Sequence, residues 1–142
     1  MISDEDILKA KIFIVDDNIL NVQILKKTLA NAGYTDITTV TDPTTVLALY
    51  NEKHPDLILL DFNMPRLNGL QLMHVINRLD PDDYLPVLML TGETDADVMA
   101  QALQYGAKDF LRKPYQAFEL LLRSRNIIEV RLLYRQLKDR VK

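Results

Sequence analysis

The sequence has 142 residues and a hydrophobic fraction of 48%, which suits one folded domain and excludes disorder over the whole length. No run approaches the ~20 apolar residues that span a bilayer, and the acidic N-terminus lacks the basic residues of a secretory signal, so we expect no membrane insertion. The absence of Cys excludes disulfides and thiolate–metal sites and favours the reducing cytoplasm. The net charge of −3 argues against direct binding of nucleic acid.

The charge is unevenly distributed along the chain. Residues 1–118 hold 10 Lys and Arg against 17 Asp and Glu, whereas residues 119–142 hold 7 against 3. An acidic body followed by a basic tail suggests that the tail has a role of its own.

The body alternates between apolar runs and helical spacings. An acidic segment at residues 3–6 suits the start of a short helix. Five runs then predict buried strands at residues 11–15, 37–40, 57–60, 87–90 and 109–111. Helices are predicted between and after them, with starts at Asn18, Asp42-Pro43, Asn68-Gly69, Asp95 and near Tyr115.

The first of these intervening helices illustrates the pattern. Its apolar residues Leu20, Ile24, Leu25 and Leu29 are predicted to share an inward face, and Gly33 is predicted to end it. Strands that alternate with helices in this way predict an α/β fold, a doubly wound parallel sheet with helices on both sides and right-handed crossovers.

Polar residues follow four of the predicted strands. Asp16 and Asp17 follow the first, Asp61 the third, Thr91 the fourth and Lys113 the fifth. Ligands of open parallel sheets bind outside the carboxyl ends of the strands, where strand order reverses. If the first and third strands are neighbours, the three carboxylates converge there.

Three converging carboxylates repel one another, at a cost on the order of 4 kcal/mol per pair at ~4 Å and an effective dielectric constant of ~20. A raised pKa or a bound cation relieves this repulsion. Because the cluster offers only oxygen atoms, Mg²⁺ is the matching cofactor. With the ammonium of Lys113 and the hydroxyl of Thr91, the cluster has the parts needed to form an aspartyl phosphate by in-line attack.

Four motifs, FIVDDN, LILLDFNMPRLNG, VLMLTGE and KDFLRKPY, in this order and spacing, resemble the CheY-like receiver domain of bacterial two-component response regulators. The resemblance covers residues 11–123, so that residues 1–10 are an N-terminal extension and residues 124–142 extend the fifth helix of the βα units. It implies a flavodoxin-like (βα)5 fold with strand order 2-1-3-4-5 and a signalling domain rather than an enzyme.

The resemblance also implies residue roles. Asp61 is the expected phosphoacceptor, and Asp17 the direct metal ligand, with Asp16 acting mainly through a bound water. Asn63 is expected to supply its backbone carbonyl to the metal. Glu93, like the Asn63 side chain, occupies a position that tunes phosphoryl lifetime.

Further implied roles concern activation. Thr91 and Lys113 are expected to bind the phosphoryl group, with Lys113-Pro114 as a cis peptide. Thr91 and Phe110 form the expected switch, which changes the surface of the fourth helix, fifth strand and fifth helix of the βα units. A sensor histidine kinase is the expected phosphoryl donor.

The C-terminal segment lacks Gly and Pro from Tyr115 onward. A 3-4-3-4 spacing predicts a coiled-coil seam, and hence a possible homodimer, formed by Ile127, Val130, Tyr134, Leu137 and Val141. The pattern continues to the last residue, so an output domain beyond Lys142 is expected. The segment LLLRSRNIIEVRLLYRQL resembles linkers to cyclic-di-GMP enzymes of the HD-GYP or diguanylate cyclase kind.

Three alternatives remain open from the sequence. A haloacid-dehalogenase-type phosphatase needs a second carboxylate two residues after the nucleophile, where this chain has Asn63. A docking module that is never phosphorylated leaves the acidic cluster unexplained. An FMN-binding flavodoxin is disfavoured because the first loop, DDNIL, is acidic where the flavin phosphate would lie.

Overall fold

The structure is a computed structural model, described here for residues 2–64, 67–79, 84, 86–92 and 96–141. Five strands alternate with helices, and an additional short helix precedes the first strand. The elements in chain order are α1 Asp4–Leu8, β1 Lys11–Val15, α2 Ile19–Asn31, β2 Asp36–Val40, a 3₁₀ turn Pro43–Thr45, α3 Val46–Lys53, β3 Leu57–Asp61, α4 Gly69–Leu79, β4 Val87–Thr91, α5 Ala96–Gln104, β5 Asp109–Arg112 and α6 Ala117–Val141.

The five strands form one parallel sheet in the order β2-β1-β3-β4-β5, which confirms the predicted topology. β1 and β3 are neighbours, with Val15 opposite Leu60. The residues that follow β1 therefore lie beside Asp61 at the carboxyl edge of the sheet.

Alternate residues of the strands enter two apolar cores, one on each face of the sheet. Ile12 and Ile14 of β1 belong to the core that contacts α2 and α6 residues, and Phe13 and Val15 belong to the core that contains α3 and α4 residues. Every residue of β3 and β4 is buried, as expected for central strands covered on both sides.

The predicted capping residues are found where the structure describes them. Ser3 caps α1 in a capping box with Asp6, and the Asn18 side chain accepts a hydrogen bond from the Leu20 amide at the start of α2. Asn68 and Gln71 cap α4 reciprocally, each amide donating to the other's side chain at 2.9 Å. The predicted cap at Asp95 lies outside the described residues.

The predicted inward face of α2 is wrong in part. Leu25 and Leu29 are buried, together with Val22, whereas Leu20 and Ile24 are 65% and 64% exposed. Adjacent helical residues point about 100° apart, so Ile24 and Leu25 cannot both face the core. The helix has two candidate apolar faces, and only packing on the sheet distinguishes them.

The long C-terminal helix α6 packs along the body for most of its length. Leu120, Ile127 and Ile128 are buried in the core beneath it. Further along, the ring of Tyr134 lies 5.8 Å from the ring of Tyr84 between centroids. No helix in the described part of the chain is both long and apolar enough to cross a membrane.

Polar contacts also hold the C-terminal half of α6 against the opposite, N-terminal edge of the sheet. The Asp56 carboxylate, just before β3, accepts a hydrogen bond from Arg135 Nη1 at 2.6 Å and lies 3.8 Å from Arg131 Nε. Arg131 Nη1 donates to the Tyr84 carbonyl at 3.0 Å. Asp56 also accepts the Lys11 amide at 3.0 Å, so this carboxylate joins α6 to the starts of β1 and β3.

This packing corrects the predicted dimer seam. Ile127 is buried in the chain's own core and Tyr134 is half-buried, whereas Val130 and Leu137 are exposed on another side of α6. The side chain of Val141 lies outside the described residues. The four described seam residues do not share one exposed face, because the body already covers the face that contains Ile127.

Candidate metal and phosphoryl site

Three carboxylates meet at the carboxyl edge of the sheet. Asp16 and Asp17 follow β1, and Asp61 is the last residue of β3. One carboxylate oxygen from each lies within 4.8 Å of the others. Asp16 and Asp61 are buried and Asp17 is exposed, so the cluster opens toward solvent on the Asp17 side.

Backbone contacts fix the position of Asp16. Its amide donates to the Val40 carbonyl at 3.1 Å, and its carboxylate accepts the Asn18 amide at 2.9 Å. Burial raises the pKa of the Asp16 carboxyl above its ordinary value, and the nearby negative charge of Asp61 raises it further. The cluster therefore carries electrostatic strain that a cation would relieve.

Lys113 provides a positive charge at the cluster. Its ammonium lies 2.6 Å from the Asp61 carboxylate and is one-third exposed. Its amide donates to the Thr91 carbonyl at 2.7 Å, which fixes the end of β5 beside the end of β4. The Lys113–Pro114 peptide bond is cis.

Thr91 and Gly92 form the next part of the edge. Thr91 is buried as the last residue of β4, and the position next to it is open, because a Cβ built on Gly92 has no heavy atom within 4 Å. A ligand oxygen can therefore approach the backbone at Gly92 beside Asp61.

The segment after β3 turns away from the cluster and then starts α4 close to it. The Phe62 carbonyl accepts hydrogen bonds from the amides of Met64 and Gly69, at 3.2 and 3.1 Å. A methyl group at Gly69 would lie 2.8 Å from Met89 Sδ and 3.2 Å from the Asp61 carbonyl. Glycine therefore permits the close approach of α4 to Asp61. Asn63, in the same turn, is exposed.

Phe110 lies on β5 opposite Met89 and is half-buried against the core that contains α3 and α4 residues. Glu93 lies outside the described residues. The topology thus brings Asp16, Asp17, Asp61 and Lys113 together, with Thr91 at the adjacent strand end.

Sequence reasoning assigned no site role to Tyr115. This half-buried residue lines a cavity of about 330 Å³ together with Asp16, Asn21 and Lys113. Burial raises the pKa of the Tyr115 hydroxyl, and the charges of Asp16 and Asp61 raise it further. The sequence signal that could have identified Tyr115 as a site residue is its position directly after Lys113-Pro114.

The donor set suits a hard divalent cation. Three carboxylates face one ammonium, so an excess of negative charge remains, and the ligands are all oxygen atoms. The buried Asp61 carboxylate is a nucleophile. The Lys113 ammonium and the open backbone at Gly92 can bind the oxygen atoms of an electrophile beside it. A flavodoxin-like sheet with this acidic edge defines a class of phosphoryl-accepting switch domains.

The comparisons with known proteins agree with that class. Residues 12–125 match the response regulator receiver domain family, and the chain belongs to this family. Receiver domains are signalling domains that take phosphate from sensor histidine kinases and bind Mg²⁺ at an acidic pocket.

Relatives with curated names include the DNA-binding response regulator MtrA of Mycobacterium tuberculosis, 33% identical over 120 residues. The match covers 84% of this chain and 51% of MtrA. Response regulator PleD of Caulobacter vibrioides is 32% identical over 133 residues, 94% of this chain and 29% of PleD. The chain thus spans about half the length of MtrA and less than a third of PleD.

Solved structures of response regulators have the same fold as this chain. Chemotaxis protein CheY4 of Vibrio cholerae superposes with a TM-score of 0.77 at 31% identity, covering 84% of this chain and 98% of CheY4. NtrX of Brucella abortus superposes with a TM-score of 0.81 at 32% identity, covering 92% of this chain and 30% of NtrX.

Proposed function

We propose that Asp61 is the phosphoacceptor of this receiver domain and that a sensor histidine kinase is the donor. The observation that carries this proposal is the buried Asp61 carboxylate held by Lys113 at 2.6 Å inside the acidic cluster. An ionised carboxylate is already a nucleophile, so the transfer needs no general base.

In the proposed transfer, an Asp61 carboxylate oxygen attacks the phosphorus of a phosphohistidine in line with the P–N bond. The O–P bond forms while the P–N electron pair returns to the ring, which leaves as neutral imidazole when its other nitrogen is protonated. The Lys113 ammonium exchanges its contact with Asp61 for one with a phosphoryl oxygen, and the Thr91 hydroxyl donates to another.

Asp16, Asp17, Asp61 and the Asn63 carbonyl are the proposed ligands for Mg²⁺. The ion would neutralise part of the negative charge of the carboxylates and of the phosphoryl oxygens. Its fit rests on the all-oxygen donor set and on the negative charge that remains after Lys113 is counted.

The proposed kinase contact lies beside the site opening. A donor histidine must reach Asp61, so the kinase must also contact the surrounding surface. There the exposed side chain of Ile24 of α2 lines the same cavity as Asp16 and Tyr115, and Leu20, one turn earlier on α2, is also exposed. Apolar side chains exposed next to the site suit a helical partner with its own apolar face.

Phosphorylation would add roughly −1.5 to −2 charges at Asp61. We propose that Thr91 moves toward this charge and that Phe110 follows, which changes the surface formed by α5, β5 and α6. Contacts that would respond are Arg112 Nη2 to Met99 Sδ at 3.5 Å and Arg123 to Asp109 at 2.5 Å.

α6 is also proposed to pass the change to an output element. MtrA is named as DNA-binding, and the segment LLLRSRNIIEVRLLYRQL favours instead a cyclic-di-GMP enzyme as the element that α6 controls. We also propose that residues 11–123 form the receiver, with residues 1–10 and 124–142 as extensions, and that the phosphorelay operates in the cytoplasm.

The test is phosphorylation with phosphoramidate, a small donor with a P–N bond, in the presence of Mg²⁺. Intact-mass analysis should show one phosphoryl group on the native chain, none on Asp61→Asn, and one on Asp36→Asn, an exposed aspartate away from the site. Incorporation that persists in Asp61→Asn, or no incorporation into the native chain, would contradict the proposal.

A further inference from the structure

α6 is apolar on two sides. One side packs on the chain's own core through Leu120, Ile127 and Ile128. A second set of apolar side chains on the same helix is 43% to 66% exposed. This outer stripe consists of Phe118, Leu122, Val130, Leu133 and Leu137.

Helix geometry places the outer stripe opposite the body. At about 100° per residue, its five members fall within a sector of about 120° whose centre is about 170° from that of the buried side chains. A helix that is apolar on opposite faces is normally covered on both. The body covers one face of α6, and the outer stripe extends about 28 Å along the other, with apolar side chains toward its two ends and polar residues between Leu122 and Val130.

The order of residues along the stripe fits a second copy of the same helix running in the opposite direction. Phe118 and Leu137 are equally far from the midpoint between residues 127 and 128, and so are Leu122 and Leu133. An antiparallel partner centred there would place Phe118 against Leu137 and Leu122 against Leu133 at both ends of the contact.

The middle of the stripe is polar and complementary to itself. Asn126 and Glu129 are exposed there, and Arg125 lies on the same flank as Glu129, one turn earlier. In the antiparallel arrangement Glu129 of each copy lies beside Asn126 of the other and next to Arg125, whose guanidinium also pairs with Asp4 of its own chain. In a parallel pair, Glu129 would instead face Tyr134, so the charge pattern favours the antiparallel pair.

We propose that the outer stripe is a homodimer surface on which two copies of α6 pack antiparallel. This surface differs from the seam predicted from the heptad spacing, and it is exposed in the chain as described, so the inference does not depend on phosphorylation of Asp61. The two bodies lie on opposite outer sides of the helix pair and do not compete for the stripe.

One helix pair of this length buries less than the ~800 Å² per partner that is typical of stable interfaces. We therefore expect an equilibrium with a dissociation constant of roughly 1–100 µM. Sedimentation velocity of the native chain should show a monomer that converts to a dimer as the concentration rises through this range.

Two matched variants test which surface is responsible. Leu133→Glu places a charge in the outer stripe and should weaken the dimer at least tenfold. Ile24→Glu makes the same kind of change at an exposed apolar residue of α2 and should leave the equilibrium unchanged. Circular dichroism should show both variants folded, because both side chains are exposed.

Cysteine cross-linking tests the direction of the helices, because the sequence has no Cys of its own. A disulfide needs Cα atoms within about 7 Å. A mixture of Phe118→Cys and Leu137→Cys chains should form heterodimeric disulfides in preference to either homodimer. The double variant cannot close within one chain, since the two positions are about 28 Å apart along α6.

The outcomes are distinct. A monomer up to millimolar concentration, or equal weakening by Leu133→Glu and Ile24→Glu, would overturn the proposed surface. Homodimeric cross-links of Leu137→Cys would overturn the antiparallel arrangement. None of these results depends on the identity of the phosphoacceptor, so the phosphorylation test and this test fail separately.

Discussion

Asp56 and Asp61 bracket the same strand, and both are buried, yet their surroundings differ in charge. At the N-terminal edge, Asp56 contacts two guanidinium groups, those of Arg131 and Arg135, and the Lys11 amide. At the carboxyl edge, Asp61 shares one ammonium with two further carboxylates.

This difference separates an anchor from a reactive site. A buried carboxylate with two cations and a backbone donor has its charge compensated, and it holds α6 on the body. A buried carboxylate with like charges as neighbours remains short of positive charge, so it is suited to accept a cation and an electrophile. We propose that the same residue type serves stability at one edge and chemistry at the other.

The largest effect is expected from breaking the anchor. Asp56→Asn leaves the buried Arg131 guanidinium without its carboxylate, and loss of one partner of a buried ion pair costs about 3 kcal/mol in the free energy of unfolding. Urea denaturation measures this loss. Asp36→Asn, an exposed control, should change stability by less than about 0.5 kcal/mol. Equal losses in the two variants would show that Asp56 does not hold α6 on the body.

The next effect is expected from adding Mg²⁺ to the reactive edge. At a concentration about tenfold above its dissociation constant, Mg²⁺ should raise the free energy of unfolding by about 1.4 kcal/mol. Asp17→Asn should reduce the gain, whereas Asp36→Asn should keep it. An equal gain in all three proteins would place the ion elsewhere.

A smaller loss is expected from weakening the anchor at its exposed end. The Arg135 side chain is half-exposed, so Arg135→Gln should cost about 1 kcal/mol, well below the loss in Asp56→Asn. Amide hydrogen exchange should show faster exchange in the C-terminal half of α6 while the strands stay protected. A loss as large as that of Asp56→Asn would show that Arg135 alone accounts for the stabilising contacts of Asp56.

The smallest effect concerns pH. The pKa of Asp16 is raised above 3.8, so in metal-free solution the folded chain binds more protons than the unfolded chain just above that pH. Stability should therefore decrease as pH rises through this window. Asp16→Asn should flatten this dependence above about pH 4, and an unchanged profile would show that burial does not raise the pKa of Asp16.

The candidate site was predictable because its signals are local. Each polar residue directly follows an apolar strand, and parallel topology brings strand ends together whatever the details of packing. Asp16, Asp61 and Lys113 therefore lie together as the sequence predicted. Tyr115 was missed because its contribution depends on how the loop after Lys113 folds back toward Asp16.

The tail was predicted less well because a repeating pattern does not say which face meets the body. Ile127 and Leu137 fit one heptad, but only Ile127 is buried. The contacts of Arg131 and Arg135 with Asp56 join residues 75 or more positions apart, and no local pattern indicates them. Long-range ion pairs of this kind emerge only from the assembled fold.

α6 begins four residues after Lys113 and continues past the anchor at Asp56, so a single helix bridges both edges of the sheet. Its 25 residues make a rod about 37 Å long. With the Asp56 contacts as the pivot, a tilt of roughly 5° would move the end near Lys113 by about 2 Å and the last residues by about 1 Å in the opposite direction. α6 therefore links movement at one edge of the sheet to movement at the other, and the Asp56 contacts are the pivot.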